Sequence, residues 1–306
     1  MDLTQATVAV TGASGFLGRA IVESLHQSKT STIRGVVRNP QKAAPILDPI
    51  GAETRVADLG DRDALRAAFE GADVVVSNAA LFAMQKMSKK FWEENRSANV
   101  EGTENVLHAA AEAGVKRLIL ISTFGVYRWS IFRRLSEDSP QLNGERREGG
   151  AYRATKQLAE ARAWELGSEL GLEITSIRPS GIYGPHDPNF MKTVKSLSKA
   201  PIFPALGVTL PLVYVGDVAD AVVSGIRNDE TVGKAYNTCG GRGSPGRFLS
   251  EYKRVAGRFF PILIPLPLFV GVFVDSGAAE RDLGFKNRSF EAGLRESFQR
   301  DRDLLR

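Results

Sequence analysis

The chain has few of the residues that build metal centres and covalent cross-links: its 306 residues include one cysteine, Cys239, and three histidines. A single thiol excludes an intramolecular disulfide, and the histidines show no spacing that resembles a zinc site. A reducing, cytoplasmic setting and no metal are therefore expected. No apolar run reaches the ~20 residues needed to cross a bilayer as a helix. The nearest approach, Phe259 to Val274, is interrupted by Pro261, Pro265 and Pro267. It is expected to be buried or substrate-facing, with peripheral membrane contact as the lesser alternative. No basic-then-apolar leader precedes the first strand-like run, so no signal peptide is expected. A strong charge of one sign is also lacking, since 40 Lys and Arg face 35 Asp and Glu and leave +5. That diffuse excess suits an anionic small molecule and is too scattered to argue for nucleic acid.

What is present is a pattern of alternating elements. At 43% hydrophobic residues the chain can bury a large core in one or two domains. Strand-like runs at 6–11, 32–37, 73–77 and 117–121 alternate with helical patterns at 16–28, 61–70 and 88–113. A helix over 152–170 and a strand from Glu173 to Arg178 follow. Continuously apolar strands separated by helices predict an α/β fold, a doubly wound parallel sheet of the Rossmann kind. After Arg178, Pro179, Pro185, Pro188, Pro201, Pro204 and Pro211 break the chain into what read as short elements. The expected division is a dinucleotide-binding domain at 1–178 and a smaller, irregular substrate lobe at 179–306. The stretch near 212–238 is expected to return to the first domain.

Two motifs carry chemistry. Between the strand-like run Ala6 to Val10 and the helical run from Phe16 lies Thr11-Gly12-Ala13-Ser14-Gly15-Phe16-Leu17-Gly18. A glycine turn opening a helix offers free backbone N–H groups and the positive end of the helix dipole, which suit a pyrophosphate. Far downstream stands Tyr152-Arg153-Ala154-Thr155-Lys156. Tyr152 and Lys156 are one helical turn apart and share a face, so an ammonium beside a phenol would favour the phenolate and bring it into a useful acid/base range. Between the motifs come Asp58-Leu59, Asn78-Ala79-Ala80, Asn99-Val100-Glu101-Gly102-Thr103-Glu104-Asn105 and Ser122-Thr123.

Together with Arg178-Pro179-Ser180-Gly181-Ile182-Tyr183-Gly184-Pro185 and Tyr214-Val215-Gly216-Asp217-Val218-Ala219, this series resembles the extended branch of the short-chain dehydrogenase/reductase superfamily over nearly the whole chain. The feel is closest to hydroxysteroid dehydrogenases and dihydroflavonol reductases. The resemblance implies cofactor contacts from Gly12, Ser14, Gly15, Phe16, Leu17 and Gly18 at the pyrophosphate. It also implies Asp58 and Leu59 at the adenine, Ala79 and Ala80 towards the nicotinamide, and contributions from Asn99, Tyr152, Lys156 and Pro179. The second strand ends in Val37-Arg38-Asn39, which offers a guanidinium and no carboxylate. NADP is therefore the preferred cofactor, with NAD as the alternative.

The implied chemistry is hydride transfer between the cofactor and a ketone or secondary alcohol. Tyr152 would exchange the oxygen's proton, Lys156 would support it, and a hydroxyl from Thr123, preferred over Ser122, would bind the same oxygen. Phe82, Met84, Phe124, Tyr127, Ile182, Tyr183 and Phe190 are candidate walls for a bulky, largely apolar small-molecule substrate, although any one of them could be core packing. Trp129-Ser130-Ile131-Phe132 in the 128–150 insert could act as a lid. A sugar-nucleotide epimerase or dehydratase that recycles NAD internally is the competing expectation, and Arg38 weighs against it. A homodimer is left open.

Overall fold

The structure, a computed structural model, describes residues 1–81, 89–130, 133–188, 190–191, 202–240, 242–243, 245–256 and 262–301. Short β-branched runs form its central strands. In β1 (Thr7–Thr11) Val8 and Val10 are fully buried, as are Val74, Val75 and Val76 of β4 (Val74–Ser77). Burial on both faces is what a strand with helices above and below it requires. With β2 (Thr32–Val37), β3 (Glu53–Val56), β5 (Arg117–Ile121), β7 (Glu173–Pro179) and β10 (Ala235–Thr238) they make a parallel sheet of seven strands. The order is β10-β7-β5-β4-β1-β2-β3. The expected doubly wound sheet is thus present. Winding reverses between β1 and β4, and the crevice beyond the carboxyl ends of such a pair is where this kind of sheet takes a ligand.

Helices cover both faces. On one face α1 (Phe16–Gln27) buries Ile21, Val22 and Leu25 in the same core as Val218, Val222 and Ile226 of α7 (Val215–Arg227). On the other face lie α3 (Arg62–Phe69), α5 (Gly102–Glu112) and α6 (Ala151–Leu170), which bury Leu65, Phe69, Val106, Ala110, Ala163 and Leu166. The helical pattern at 88–113 is two helices, α4 (Lys89–Arg96) and α5, joined by a π turn over Ser97–Glu101. The helix α2 (Pro40–Leu47) was not expected from periodicity. Its signals are Asn39, whose side chain accepts from Lys42 N at 2.9 Å, and Pro40 in the first turn.

Beyond Arg178 the chain serves two sheets. The helix α7 and strand β10 join the main one, while β8 (Gly181–Tyr183), β9 (Ile202–Tyr214), β11 (Arg242–Gly243) and β12 (Ile262–Gly271) form a second. The expectation of short elements only is corrected by β9, which runs through Pro204 and Pro211. Its partners change along its length: β12 pairs with 202–209, β11 with 210–211 and β8 with 212–214. Among the described residues Pro204 faces a neighbour on one side only, the edge-like setting in which a strand tolerates a missing N–H. Most of the Phe259-to-Val274 segment is β12, with an irregularity between Leu266 and Phe269, followed by β13 (Phe273–Val274), which pairs with β6 (Arg134–Leu135). Phe259, Phe260 and Pro261 lie outside the described residues. No helix among the described residues is long and apolar enough to cross a membrane.

The lobe has its own core of Tyr183, Met191, Leu212, Tyr214, Leu249, Leu294 and Phe298. It draws on α8 (Pro245–Ala256) and α10 (Phe290–Arg300), and α9 (Gly277–Leu283) adds Ala279 and Leu283 to the main core.

Candidate active site

The end of β1 is tied to the end of β4 through one hydroxyl. Thr11 Oγ1 accepts from the backbone N–H of both Asn78 and Ala79 at 3.0 Å, and donates to Val76 O at 3.3 Å. This brings Gly12 against Ala79, where a Cβ on Gly12 would lie 3.1 Å from the alanine's Cα and Cβ, in a backbone with φ of +65°. At Gly18 a Cβ would stand 2.1 Å from Gly12 O. The turn is therefore closed by backbone-to-backbone approach that only glycine allows. The helix α1 begins at Gly15 with no side-chain cap and no acid in its first turn. Its leading N–H groups have no side chain to satisfy them, which suits an anion such as a pyrophosphate. Ser14 is half-buried, and the side chains of Phe16 and Leu17 pack against the lobe core, so these two can offer a ligand their amides.

Farther along the same crevice, Arg38 follows β2 with its side chain 81% exposed and its guanidinium 3.9 Å from the Asp58 carboxylate. Asp58 also accepts from Gly60 N at 2.9 Å, which shapes the turn after β3. Leu59 packs against the α3 and α5 core, and its carbonyl accepts from Asn105 at 2.8 Å. Ala79 is half-buried and Ala80 exposed, both at the carboxyl end of β4. Pro179 is buried at the end of β7, paired in register with Thr238.

Asn99 sits inside the π turn and reaches out of its own helix. Its side chain accepts from Leu81 N at 2.8 Å and donates to Leu81 O at 3.3 Å and Thr155 Oγ1 at 3.1 Å. It pins the loop after β4 to helix α6.

Thr123, Tyr152 and Lys156 converge where β5 ends beside α6. Thr123 Oγ1 accepts from Gly125 N at 3.1 Å, and its hydroxyl stands beside the Tyr152 phenol, on which it acts. Ser122 turns the other way, and its hydroxyl donates to the buried Glu160 carboxylate. Burial pushes the Tyr152 phenol up to about 12, with the Thr123 hydroxyl opposing the rise. This corrects the expectation of a phenol drawn down by the lysine. Lys156 Nζ instead donates to Ile121 O at 2.6 Å, and the lysine is not among the groups acting on the phenol. The lysine is itself 6% exposed, and desolvation pulls its ammonium down to about 8 while Glu160 opposes the fall.

A buried ionic network behind Lys156 was not anticipated from the sequence. Arg178 donates to Glu160 through Nε at 2.9 Å and Nη2 at 2.6 Å, and through Nη1 to the Tyr127 hydroxyl at 2.6 Å. Tyr127 in turn donates to Asn237 Oδ1 at 2.8 Å. The available signal was a glutamate one helical turn beyond Lys156, on the same face.

Several wall candidates prove to be core. Tyr127 is fully buried in that network, and Tyr183 packs edge-on against Tyr214 in the lobe. Phe124 is buried and stacks on Trp129 at 5.3 Å between ring centroids, while the Arg153 guanidinium lies 4.0 Å from the Trp129 ring. Trp129 remains 42% exposed beside the site. Ile182 and Phe190 are partly buried against the lobe core. Phe82, Met84, Ile131 and Phe132 lie outside the described residues. Among the described residues no group of three or more His, Cys, Asp or Glu could hold a metal.

The sequence model of the NAD dependent epimerase/dehydratase family matches residues 8–239. The chain belongs to this family. Among curated relatives, 3beta-hydroxysteroid-dehydrogenase/decarboxylase isoform 1 of Arabidopsis thaliana is 32% identical over 207 residues, covering 64% of this chain and 46% of that protein. The chain spans about half the length of the curated relatives it matches first. Among solved structures, a UDP-glucose-4-epimerase from Stenotrophomonas maltophila with bound NAD superposes with a TM-score of 0.85 at 21% identity, covering 98% of this chain and 99% of the other. The yeast methylglyoxal/isovaleraldehyde reductase complexed with NADPH gives 0.81 at 22% identity, covering 96% and 97%. At such identity these two establish the fold. The family resemblance read from the motifs is borne out, and a nicotinamide cofactor belongs to the family's description.

Proposed function

We propose that this member of the epimerase/dehydratase family is a net oxidoreductase of the extended short-chain type, acting on a ketone or secondary alcohol of a bulky, largely apolar substrate. The observation that carries the proposal is the placement of the Thr123 hydroxyl beside the Tyr152 phenol, on which it acts, at the carboxyl end of β5, next to the sheet's switch point. In the reducing direction Tyr152 gives its proton to the substrate oxygen. A phenol pushed up to about 12 is in the proton-donating form throughout the neutral range. Thr123 holds the same oxygen, and Lys156 binds the nicotinamide ribose. When bound, the nicotinamide supplies or accepts the hydride. Gly12, Ser14, Gly15, Phe16, Leu17 and Gly18 hold the pyrophosphate, with Asp58, Leu59, Ala79, Ala80, Asn99 and Pro179 along the rest of the cofactor. The exposed Arg38 guanidinium favours the 2′-phosphate of NADP, with NAD as the second choice.

The Arabidopsis relative, named as a hydroxysteroid dehydrogenase, supports an apolar substrate with net hydride transfer. The second reading is a sugar-nucleotide epimerase that returns the hydride internally. The same Thr123 and Tyr152 pair would serve it, and the NAD-bound epimerase neighbour keeps it in view. Purified protein separates the two readings. Stoichiometric NADPH consumption with steroid-like or other hydrophobic ketones supports the proposal. Copurifying NAD, with conversion of a UDP- or GDP-sugar and no net change in NADPH, overturns it.

A further inference from the structure

We propose that Glu160 is a positioning residue for Lys156, held by Arg178 and Ser122 as a buried strut that sets α6 against the ends of β5 and β7. The inference rests on the roles given above to Tyr152 and Lys156. Three consecutive residues after the core of β5 meet three successive turns of α6. Thr123 meets Tyr152, the Ile121 carbonyl accepts from Lys156 Nζ at 2.6 Å, and the Ser122 hydroxyl donates to Glu160. Side chains four apart lie one above another on a helix, so these rungs fix both the height and the rotation of α6. The third rung is the most enclosed, since Glu160 is 1% and Arg178 3% exposed. Arg178 anchors it to β7 with bonds of 2.6 and 2.9 Å, and its remaining reach to Tyr127 at 2.6 Å carries the network to Asn237.

As a stability device such a pair is weak, because desolvating two charges offsets their attraction and apolar replacements are often neutral or better. Its location gives it another use. The groups acting on the Lys156 ammonium are the Ile121 carbonyl at the end of β5, which accepts from Nζ, and the Glu160 carboxylate on α6, which also accepts from the Ser122 hydroxyl. Arg178 of β7 and Tyr127 stand behind Glu160. Glu160 is the charged group that opposes the loss of the lysine's proton on burial. It keeps Lys156 both charged and aligned with the face that carries Tyr152.

The test follows the lysine itself by a 13C NMR titration of its Cε resonance in the full chain, assigned by its loss in Lys156→Met. In Glu160→Gln, which keeps the shape and an acceptor for Ser122, the midpoint should fall by roughly one pH unit, the scale of a lost neighbouring charge. In the double variant Glu160→Gln with Arg178→Met it should fall less, because the unpaired guanidinium is gone as well. The alkaline limb of kcat/KM should move with the midpoint in each protein. If Glu160→Gln alone does not fold, the double variant decides. A midpoint equal to that of the unmodified protein in whichever variant folds overturns the strut. A midpoint that moves while the alkaline limb stays in place supports the strut and overturns the role of Lys156 in turnover.

Discussion

Replacing Lys156 by Met should stabilise the protein while disabling it. The ammonium is buried and pulled from 10.5 down to about 8. At 1.36 kcal/mol per unit, holding the charged form inside costs about 3 kcal/mol at neutral pH. Methionine fills a similar slot without charge. It also leaves the Ile121 carbonyl without the 2.6 Å bond from Nζ, a loss of about 1 kcal/mol or somewhat more. The expected net gain at pH 7 is roughly 1–2 kcal/mol. The pH dependence follows from the sign of the shift. Between the folded value of about 8 and the unfolded value of 10.5, the unfolded chain binds more protons than the native one, so native stability rises with pH across that window. The full penalty is present below it. Urea unfolding of both proteins at pH 7 and pH 10 measures this, with the advantage of Lys156→Met shrinking at pH 10. Burial raises Tyr127, Tyr183, Tyr214, Tyr236 and Cys239, which gives the opposite slope at high pH. Those groups are in both proteins and cancel in the difference. A variant less stable at pH 7, or an unchanged difference at the two pH values, refutes the reasoning.

Tyr152→Phe should lower turnover at least ~10²-fold with the titrated NADPH affinity little changed, and near-normal turnover would remove the tyrosine from the mechanism. Arg38→Asp, at a side chain 81% exposed, should move cofactor preference from NADPH towards NADH in paired binding titrations. An unchanged affinity ratio would sink the NADP preference. Gly18→Ala places a Cβ 2.1 Å from Gly12 O, so the turn must open. Urea unfolding should show a loss of about 1–3 kcal/mol, as for an overpacked site, together with weaker cofactor binding. Unchanged stability and binding would show that the turn is not closed by backbone contact.

The glycine turn, the flanking strand and helix, and the Tyr152 and Lys156 spacing are legible because each is a matter of residues a few positions apart. The proline count misleads at β9, where tolerance of Pro204 depends on which neighbours pair alongside it. The wall candidates Phe124, Tyr127 and Tyr183 prove buried for a similar reason: nothing local distinguishes the Tyr127 ring, buried under Arg178 and Asn237, from the exposed Trp129. The Glu160 and Arg178 pair joins a helix to a strand 18 positions later, and no periodicity announces it.

By itself the sequence determined the doubly wound sheet, the glycine turn that opens its first helix and the helix face that bears the tyrosine and lysine. Hydrophobic period, glycine and backbone hydrogen bonding act over short spans and leave their mark in spacing. Only the tertiary structure decided that Thr123, and not Ser122, meets the phenol. It also decided that the lysine donates to Ile121, and that Tyr152 is raised where a lowered phenol was expected. Desolvation and charge pairing sum over every group packed around an atom, and those groups come from strands, turns and helices far apart in the chain.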